Sequence, residues 1–218
     1  MSKPFQETLT PEKALIFRAT HRLNVPWILA NGLHCGHSPQ QDPQFVSIGN
    51  GELIAKRRTR KVPIPPGGML SDYIPFYFTP YSPMLYNIKT GYGGIQQRPN
   101  ADIVILVSSL VVLEQLSVPY VFTDRHAYLA TASFSNDRAN LVEHVDFGLL
   151  QRRDFKREDG DPGKIERYQA EALVHRQVPV AALIGLGCYS EAVKQKLEAE
   201  TAATGVELAI VSRSDWYF

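Results

Sequence analysis

The sequence predicts an α+β fold in a single domain spanning residues 1–218. Three observations predict it. Short β-rich runs such as Ile103–Val107 and Tyr120–Asp124 recur along the chain, and runs of that length and composition fit buried strands. The cap-and-proline signals mark short helices, with one clear longer helix near the C-terminus. Strands and helices of this size, intermixed, fit one core around a strongly bent sheet, and the length suffices to bury such a core.

Each element has a local reason. Thr10-Pro11-Glu12-Lys13 reads as a helix start, a cap followed by proline at the first helical position. Ala14–Thr20 reads as an extended segment or a short helix passing into one. Asn24 is placed to cap a helix over Val25–Asn31 that Gly32 ends. The polar, aperiodic stretch from His34 to Asn50 reads as a long loop, a common site of function. Gly51–Lys56 reads as a helical turn, and Pro63–Gly68 as a rigid bend. Ser82-Pro83 opens a helix to about Ile88. An amphipathic helix is expected near Leu141–Leu150, inside a polar region from Ser133 to Lys164. Strands are expected over Arg167–His175, Ile184–Cys188 and Val206–Val211, with a helix over Ser190–Thr201 capped by Ser190.

The stretch Leu70–Tyr86 carries six aromatics and three prolines in seventeen residues. Proline cannot donate to a ladder, so this is not an ordinary central strand. It reads as a core strand running into a proline-started helix. The alternative is a strand that presents ring faces to a flat partner, such as a nicotinamide, an adenine or a DNA base.

Lys+Arg of 23 against Asp+Glu of 22 gives a formal net charge of +1, so bulk charge does not announce a nucleic-acid binder. The basic residues are nonetheless clustered, at Lys56–Lys61 and at Arg152, Arg153, Lys156 and Arg157. These clusters read as solvated surface or as the two walls of a phosphate-binding groove. Cys35 and Cys188 form no disulfide framework or metal spacing and read as reduced thiols of a cytoplasmic protein. Met1-Ser2-Lys3-Pro4 lacks the apolar core of a secretion signal, and Ile103–Val107 is too short to span a membrane. Phosphate loops, dinucleotide fingerprints and zinc spacings are absent from the sequence, and no metal is expected.

Four residues stand out for chemistry. Glu171 lies in an apolar strand-like run, Tyr168–Val174. Facing the core it needs a cation or a ligand hydroxyl; facing water it is an ordinary alternating residue. Arg57 reads as a surface charge or as a planar clamp for an anion. His21 reads as a structural histidine. His126 reads as an acid–base group or as part of a turn with Asp124.

Five ordered segments carry a family resemblance. They are Asn24–Leu33 (NVPWILANGL), Gly68–Phe78 with Ser82–Leu85, Phe122–Ala127 (FTDRHA), Gln169–Val174 (QAEALV), and Tyr189-Ser190-Glu191 with Trp216-Tyr217. Together they resemble the DarT family, the DNA ADP-ribosyltransferase toxins of bacterial toxin–antitoxin pairs, over nearly the whole chain. The resemblance implies an ADP-ribosyltransferase fold, two small packed sheets with peripheral helices around an NAD cleft. It implies NAD as co-substrate, single-stranded DNA as acceptor, and a macrodomain antitoxin of the DarG type that removes the mark. The expected acceptor is thymidine, modified sequence-selectively so that replication is blocked; another branch of the family modifies guanosine.

Position by position, the resemblance makes Glu171 the catalytic glutamate and Arg57 the catalytic arginine, with Arg58 the adjacent alternative. Arg18, Ala19, Thr20, His21 and Asn24 match the NAD-contacting segment, although many members carry histidine where this chain has Arg18. Gly49 and Leu53 fall in the part that covers NAD. Tyr73, Phe76 and Tyr77 supply rings toward it. Arg58, His126, Arg152, Arg153, Phe155, Lys156 and Arg157 are the expected DNA contacts, and Ser133–Lys164 matches the substrate-recognition loop.

The chemistry fits these residue types. Cleaving the nicotinamide–ribose bond builds positive charge on the ribose, which a fixed carboxylate stabilises. A guanidinium beside a base favours its deprotonated form. The competing readings are an NAD-consuming transferase acting on guanosine, RNA or protein, an NAD glycohydrolase, and a nucleic-acid-binding module without catalysis.

Overall fold

The computed structural model describes residues 5–218. Met1–Pro4, on which the reading of no secretion signal rests, lies outside the described residues.

The strands are β1 (Leu15–His21), β2 (Leu33–His34), β3 (Tyr73–Tyr77), β4 (Ile103–Ser109), β5 (Tyr120–Thr123), β6 (Phe134–Ser135), β7 (Glu171–His175), β8 (Gln177–Val178), β9 (Gly185–Cys188) and β10 (Ile210–Ser212). The helices are α1 (Val25–Asn31), α2 (Gly51–Arg57), α3 (Pro83–Thr90), α4 (Leu110–Gln115), α5 (Leu141–His144), α6 (Phe147–Arg152), α7 (Lys164–Arg167) and α8 (Glu191–Thr201). Eight strands form one sheet in the order β10-β9-β4-β1-β3-β7-β5-β6, and β2 pairs with β8 in a small second sheet. Among the described residues no helix is long and apolar enough to cross a membrane.

The large sheet consists of two halves joined at one point. β1 and β4 pair along their full length, from Leu15↔Ser109 to His21↔Ile103. β3 and β7 likewise pair from Tyr73↔His175 to Tyr77↔Glu171. Between β1 and β3 the single register pair is Phe17↔Tyr77. Pro75 explains the break. Its carbonyl accepts a hydrogen bond from Arg18 Nη1 at 2.8 Å, so this edge of Pro75 faces β1. In an antiparallel ladder the N–H of the same residue would face β1 as well, and proline has none. The two-sheet arrangement implied by the resemblance thus takes the form of two four-stranded halves that meet at Tyr77 and part on the Pro75 side, with a cleft where they part.

Alternation along β3 divides its rings between the two faces. Ile74, Phe76 and Phe78 are fully buried in the main core with Ile16, Phe17, Ile105 and Leu106. Tyr73 turns to the other face and packs in a smaller cluster with Val62, Leu70, Val121 and Leu173.

Most helix boundaries follow their caps. Ser82 Oγ accepts from Leu85 N at 3.3 Å, and Ser190 Oγ from Val193 N at 3.4 Å. Gly32, at φ 84°, ends α1 as expected. Four expectations are corrected. Thr10–Lys13 makes one hydrogen-bonded turn, closed by Ala14 N on Thr10 O at 2.9 Å, and then enters β1. Asn24 does not cap α1, because its side chain bonds elsewhere. The helix expected over Leu141–Leu150 is broken into α5 and α6, with Asp146 capping the second through Leu149 N at 2.9 Å. The last strand begins at Ile210, well after Val206.

Candidate active site

The cleft is organised around the first residue of β7. α7 ends at Arg167 and a turn carries the chain through Gln169, so Glu171 opens the strand and does not sit in its middle. The backbone of Glu171 is fixed by Thr123, whose Oγ1 accepts from Glu171 N at 3.2 Å. The residue is 1% exposed. Arg57, at the C-terminal end of α2, donates from Nη1 to both carboxylate oxygens at 3.2 and 3.3 Å. The amide of Ala127 donates to Oε2 at 2.9 Å.

Electrostatics here favour the ionised acid. Burial opposes ionisation most, but Arg57, His126 and the Ala127 amide outweigh it and hold the carboxyl below its ordinary value. Glu171 is therefore a permanent, dry negative charge at neutral pH. Arg18 is the second cation of the cluster. Burial, with Arg57 beside it, lowers its guanidinium to about 10, so it too stays charged. Two buried donors of this cluster have no protein partner, Arg57 Nη2 and Arg18 Nε. Unpaired buried donors are costly, and both lie on side chains of the cluster around Glu171, where a ligand oxygen would satisfy them.

Space is available on both sides of Tyr77. A narrow cavity of about 30 Å³ touches Arg18, Ala19, Pro75, Thr79, Ser82 and Glu171. A larger one of about 390 Å³ lies toward α2 and α3, against Asn50, Leu53, Lys56, Met84, His126 and Tyr128. Tyr77 and Met84 border both. His126 Nδ1 accepts from Tyr128 N at 3.2 Å, so the neutral ring carries its proton on Nε2.

The expected site residues divide by placement. Glu171, Arg57, Arg18, Ala19, Leu53, Tyr77 and His126 converge on these cavities. Arg58, the alternative to Arg57, is exposed and caps α2 without reaching Glu171. Thr20 and Asn24 serve the scaffold. Asn24 Nδ2 donates to Thr20 Oγ1 at 3.1 Å and to Val46 O at 3.0 Å, while its Oδ1 accepts from Val46 N at 2.8 Å. This pins the long loop that carries Gly49 onto the end of β1. His21 is buried, and its Nδ1 accepts from Leu23 N at 3.2 Å to cap the following turn.

Two expected ring contacts are corrected. Phe76 is 0% exposed on the core face of β3, opposite Tyr77, so its ring cannot reach the cleft. Tyr73 shares Tyr77's face but lies four residues away, about 13 Å along a strand, and its hydroxyl donates to Gly67 O at 2.6 Å. Phe155 is likewise occupied, packed among Tyr81, Tyr86, Tyr168 and Phe218. Arg153 lies over the Tyr81 ring at 3.7 Å, and Tyr81 stacks on Phe218 with centroids 3.8 Å apart. Arg152, Lys156 and Arg157 are exposed.

The sequence reading passed over Ala127, Thr123 and Tyr92. Ala127 acts through its backbone, which leaves no mark on residue type. Tyr92 had a visible signal, an aromatic inside Gly91-Tyr92-Gly93-Gly94.

Known proteins match this chain and its fold. The family described as "ssDNA thymidine ADP-ribosyltransferase, DarT" matches residues 17–218. A DNA ADP-ribosyl transferase of Escherichia coli O127:H6 (strain E2348/69 / EPEC) is 49% identical over 218 residues, covering 100% of both chains. The solved structure of Thermus sp. 2.9 DarT in complex with ADP-ribosylated ssDNA is 33% identical and superposes with a TM-score of 0.86, covering 95% of this chain and 98% of that one. The same Thermus protein in complex with NAD+ gives a TM-score of 0.81 at 33% identity, covering 95% of this chain and 99% of that one. A match across nearly the whole chain, with the buried Glu171–Arg57 pair at the cleft, places this chain in the DarT family of DNA ADP-ribosyltransferases.

Proposed function

We propose that this chain transfers ADP-ribose from NAD to a thymidine base in single-stranded DNA, with Glu171 and Arg57 carrying the chemistry. The observation that carries this reading is the Glu171 carboxylate, dry, ionised and rigidly held beside a guanidinium that keeps one donor free.

The reaction breaks the bond between the nicotinamide nitrogen and the ribose, nicotinamide leaving with the electron pair. A bond forms from a base ring nitrogen to the same ribose carbon, and the ring proton of the base passes to water. Glu171 stabilises the positive charge that develops on the ribose and, through the free side of its carboxylate, holds a ribose hydroxyl. A carboxylate that needs no proton removed before it acts is ready at neutral pH. Thr123 and Ala127 keep it in place, so little reorganisation accompanies the reaction.

Arg57 has a double role. Nη1 neutralises Glu171, and Nη2 is free to donate to a carbonyl of the acceptor base. Positive charge there lowers the cost of losing the ring proton. His126, protonated on Nε2, offers a second donor from the larger cavity. The reacting end of NAD is assigned to the Arg18 side, where Arg18 Nε awaits an acceptor, and the rest of NAD to the Leu53 side of the larger cavity. Gly49 and Leu53 would cover it. Arg58, Arg152, Arg153, Lys156 and Arg157 would hold the DNA backbone. Duplex DNA buries the reacting edge in base pairing, which favours a single strand.

Family membership supports a macrodomain antitoxin of the DarG type as partner, reversal of the mark by it, and a block to replication when it is absent. Two buried free thiols, Cys35 and Cys188, support a reducing cytoplasmic setting.

The test is intact-mass analysis of single-stranded DNA, duplex DNA and RNA incubated with the protein and NAD. A gain of one ADP-ribose on thymidine-containing single strands alone is expected. NAD loss without any gain on nucleic acid would favour a glycohydrolase or a protein transferase.

A further inference from the structure

The Glu171–Arg57 machinery leaves one feature of the larger cavity unexplained. α3 ends at Gly91, in the left-handed region at φ 76°. Gly93 and Gly94 follow at φ 69° and 74°. A side chain at Gly93 or Gly94 would meet no neighbour, so these glycines serve backbone shape and not close packing. That shape presents Tyr92, 70% exposed as a residue, the most exposed large hydrophobic residue described. Its hydroxyl has no hydrogen-bond partner, and no aromatic ring packs on it among the described residues. It nonetheless borders the cavity shared by Asn50, Lys56, Tyr77, His126 and Tyr128.

We infer that Tyr92 is a stacking platform for a base of the acceptor strand next to the one modified. The inference rests on the reading of function given above. Two substrates must meet at Glu171; Leu53 on the α2 side of the larger cavity is assigned to NAD, so the α3 side, with Asn87, Tyr92 and Gly93, is left for DNA. No residue of β1 borders that larger cavity. Lys56 of its wall pairs with Glu52 of the same wall, and Arg58, two residues on, is the exposed cation that suits a phosphate backbone. An exposed ring beside such a cation is the pattern of single-strand binding, where each base offers a face to stack on.

Steady-state transfer to a single-stranded oligonucleotide at saturating NAD tests this, with wild type, Tyr92→Ala and Tyr92→Phe compared and NAD affinity measured by calorimetry. Tyr92→Ala is expected to raise KM for DNA by about 5- to 150-fold, the range one base stack supports. Its NAD affinity should stay unchanged, and Tyr92→Phe should behave as wild type. A wild-type KM for DNA in Tyr92→Ala overturns the inference. So does a loss confined to NAD affinity, which would assign the ring to the adenine of NAD. Wild type that consumes NAD without modifying DNA would instead overturn the reading of function on which the inference stands.

Discussion

Arg18 Nη1 donates to the carbonyl of Pro75 at 2.8 Å across the point where β1 and β3 part. One residue breaks the ladder by lacking an N–H, and the other takes up the acceptor left over. The pair holds the two halves of the sheet at a fixed separation and forms part of the wall of the cavity beside Glu171. The charge on Arg18 thereby lies next to the reacting centre.

Arg18→Ala is expected to leave the Pro75 carbonyl without its donor. The loss should be about 1–3 kcal/mol in denaturant unfolding, as for a partly buried group deprived of a charged partner. KM for NAD should rise as the cavity wall relaxes. A variant as stable as wild type would remove the strut role from Arg18.

Arg57→Ala should be more damaging, because it strands a buried carboxylate. The expected cost is about 3–5 kcal/mol. Adding Glu171→Gln to Arg57→Ala should recover part of that stability, since the neutral amide no longer needs a cation. Additive losses in the double variant would show that the two side chains do not act as a pair.

The depressed Glu171 pKa sets a pH window. The group is lowered from 4.5 in spite of burial, so its contribution to stability is present above that value and lost as pH falls through the folded value below it. Ionisation of Glu171 should therefore produce no acid limb in kcat/KM above about pH 4.5. In Arg57→Ala the main opposing charge is gone and burial prevails, so the limb should move upward. A pH–rate profile on both proteins, over a range where each is folded, measures this. An unshifted limb in the variant would contradict the assigned electrostatics.

Gly187→Ala tests the packing behind the cleft. A Cβ at Gly187 would fall inside the contact distance of the Trp216 ring. That ring is itself packed on Phe5 and Phe17, with centroids 4.7 and 5.5 Å away. Overpacking of this kind costs about 1–3 kcal/mol. The variant should melt earlier while its transfer rate per folded molecule is kept. An unchanged melting temperature would mean that the Trp216 contact is looser than described.

Legibility from the sequence followed the range of the interactions. Ser82 and Ser190 each satisfy an amide three residues away, so their helices were readable from local composition. Asn24 carried an equally plain cap signal that Val46, 22 residues further on, overrode. The Glu171–Arg57 contact spans 114 residues, and nothing local to Arg57 separates it from Arg58. Family resemblance supplied the pairing that periodicity did not. Phe76 and Tyr77 are adjacent and similar in sequence, and strand alternation alone decides that one ring is core and the other faces the cleft.

The central claim is that Glu171 drives transfer from NAD to single-stranded DNA. Intact mass of a thymidine-containing single strand, after incubation with NAD and either wild type or Glu171→Gln, tests it most directly. The account predicts a gain of one ADP-ribose with wild type and a rate about 10²- to 10³-fold lower with the variant, with NAD binding retained. Equal modification by both proteins would contradict it.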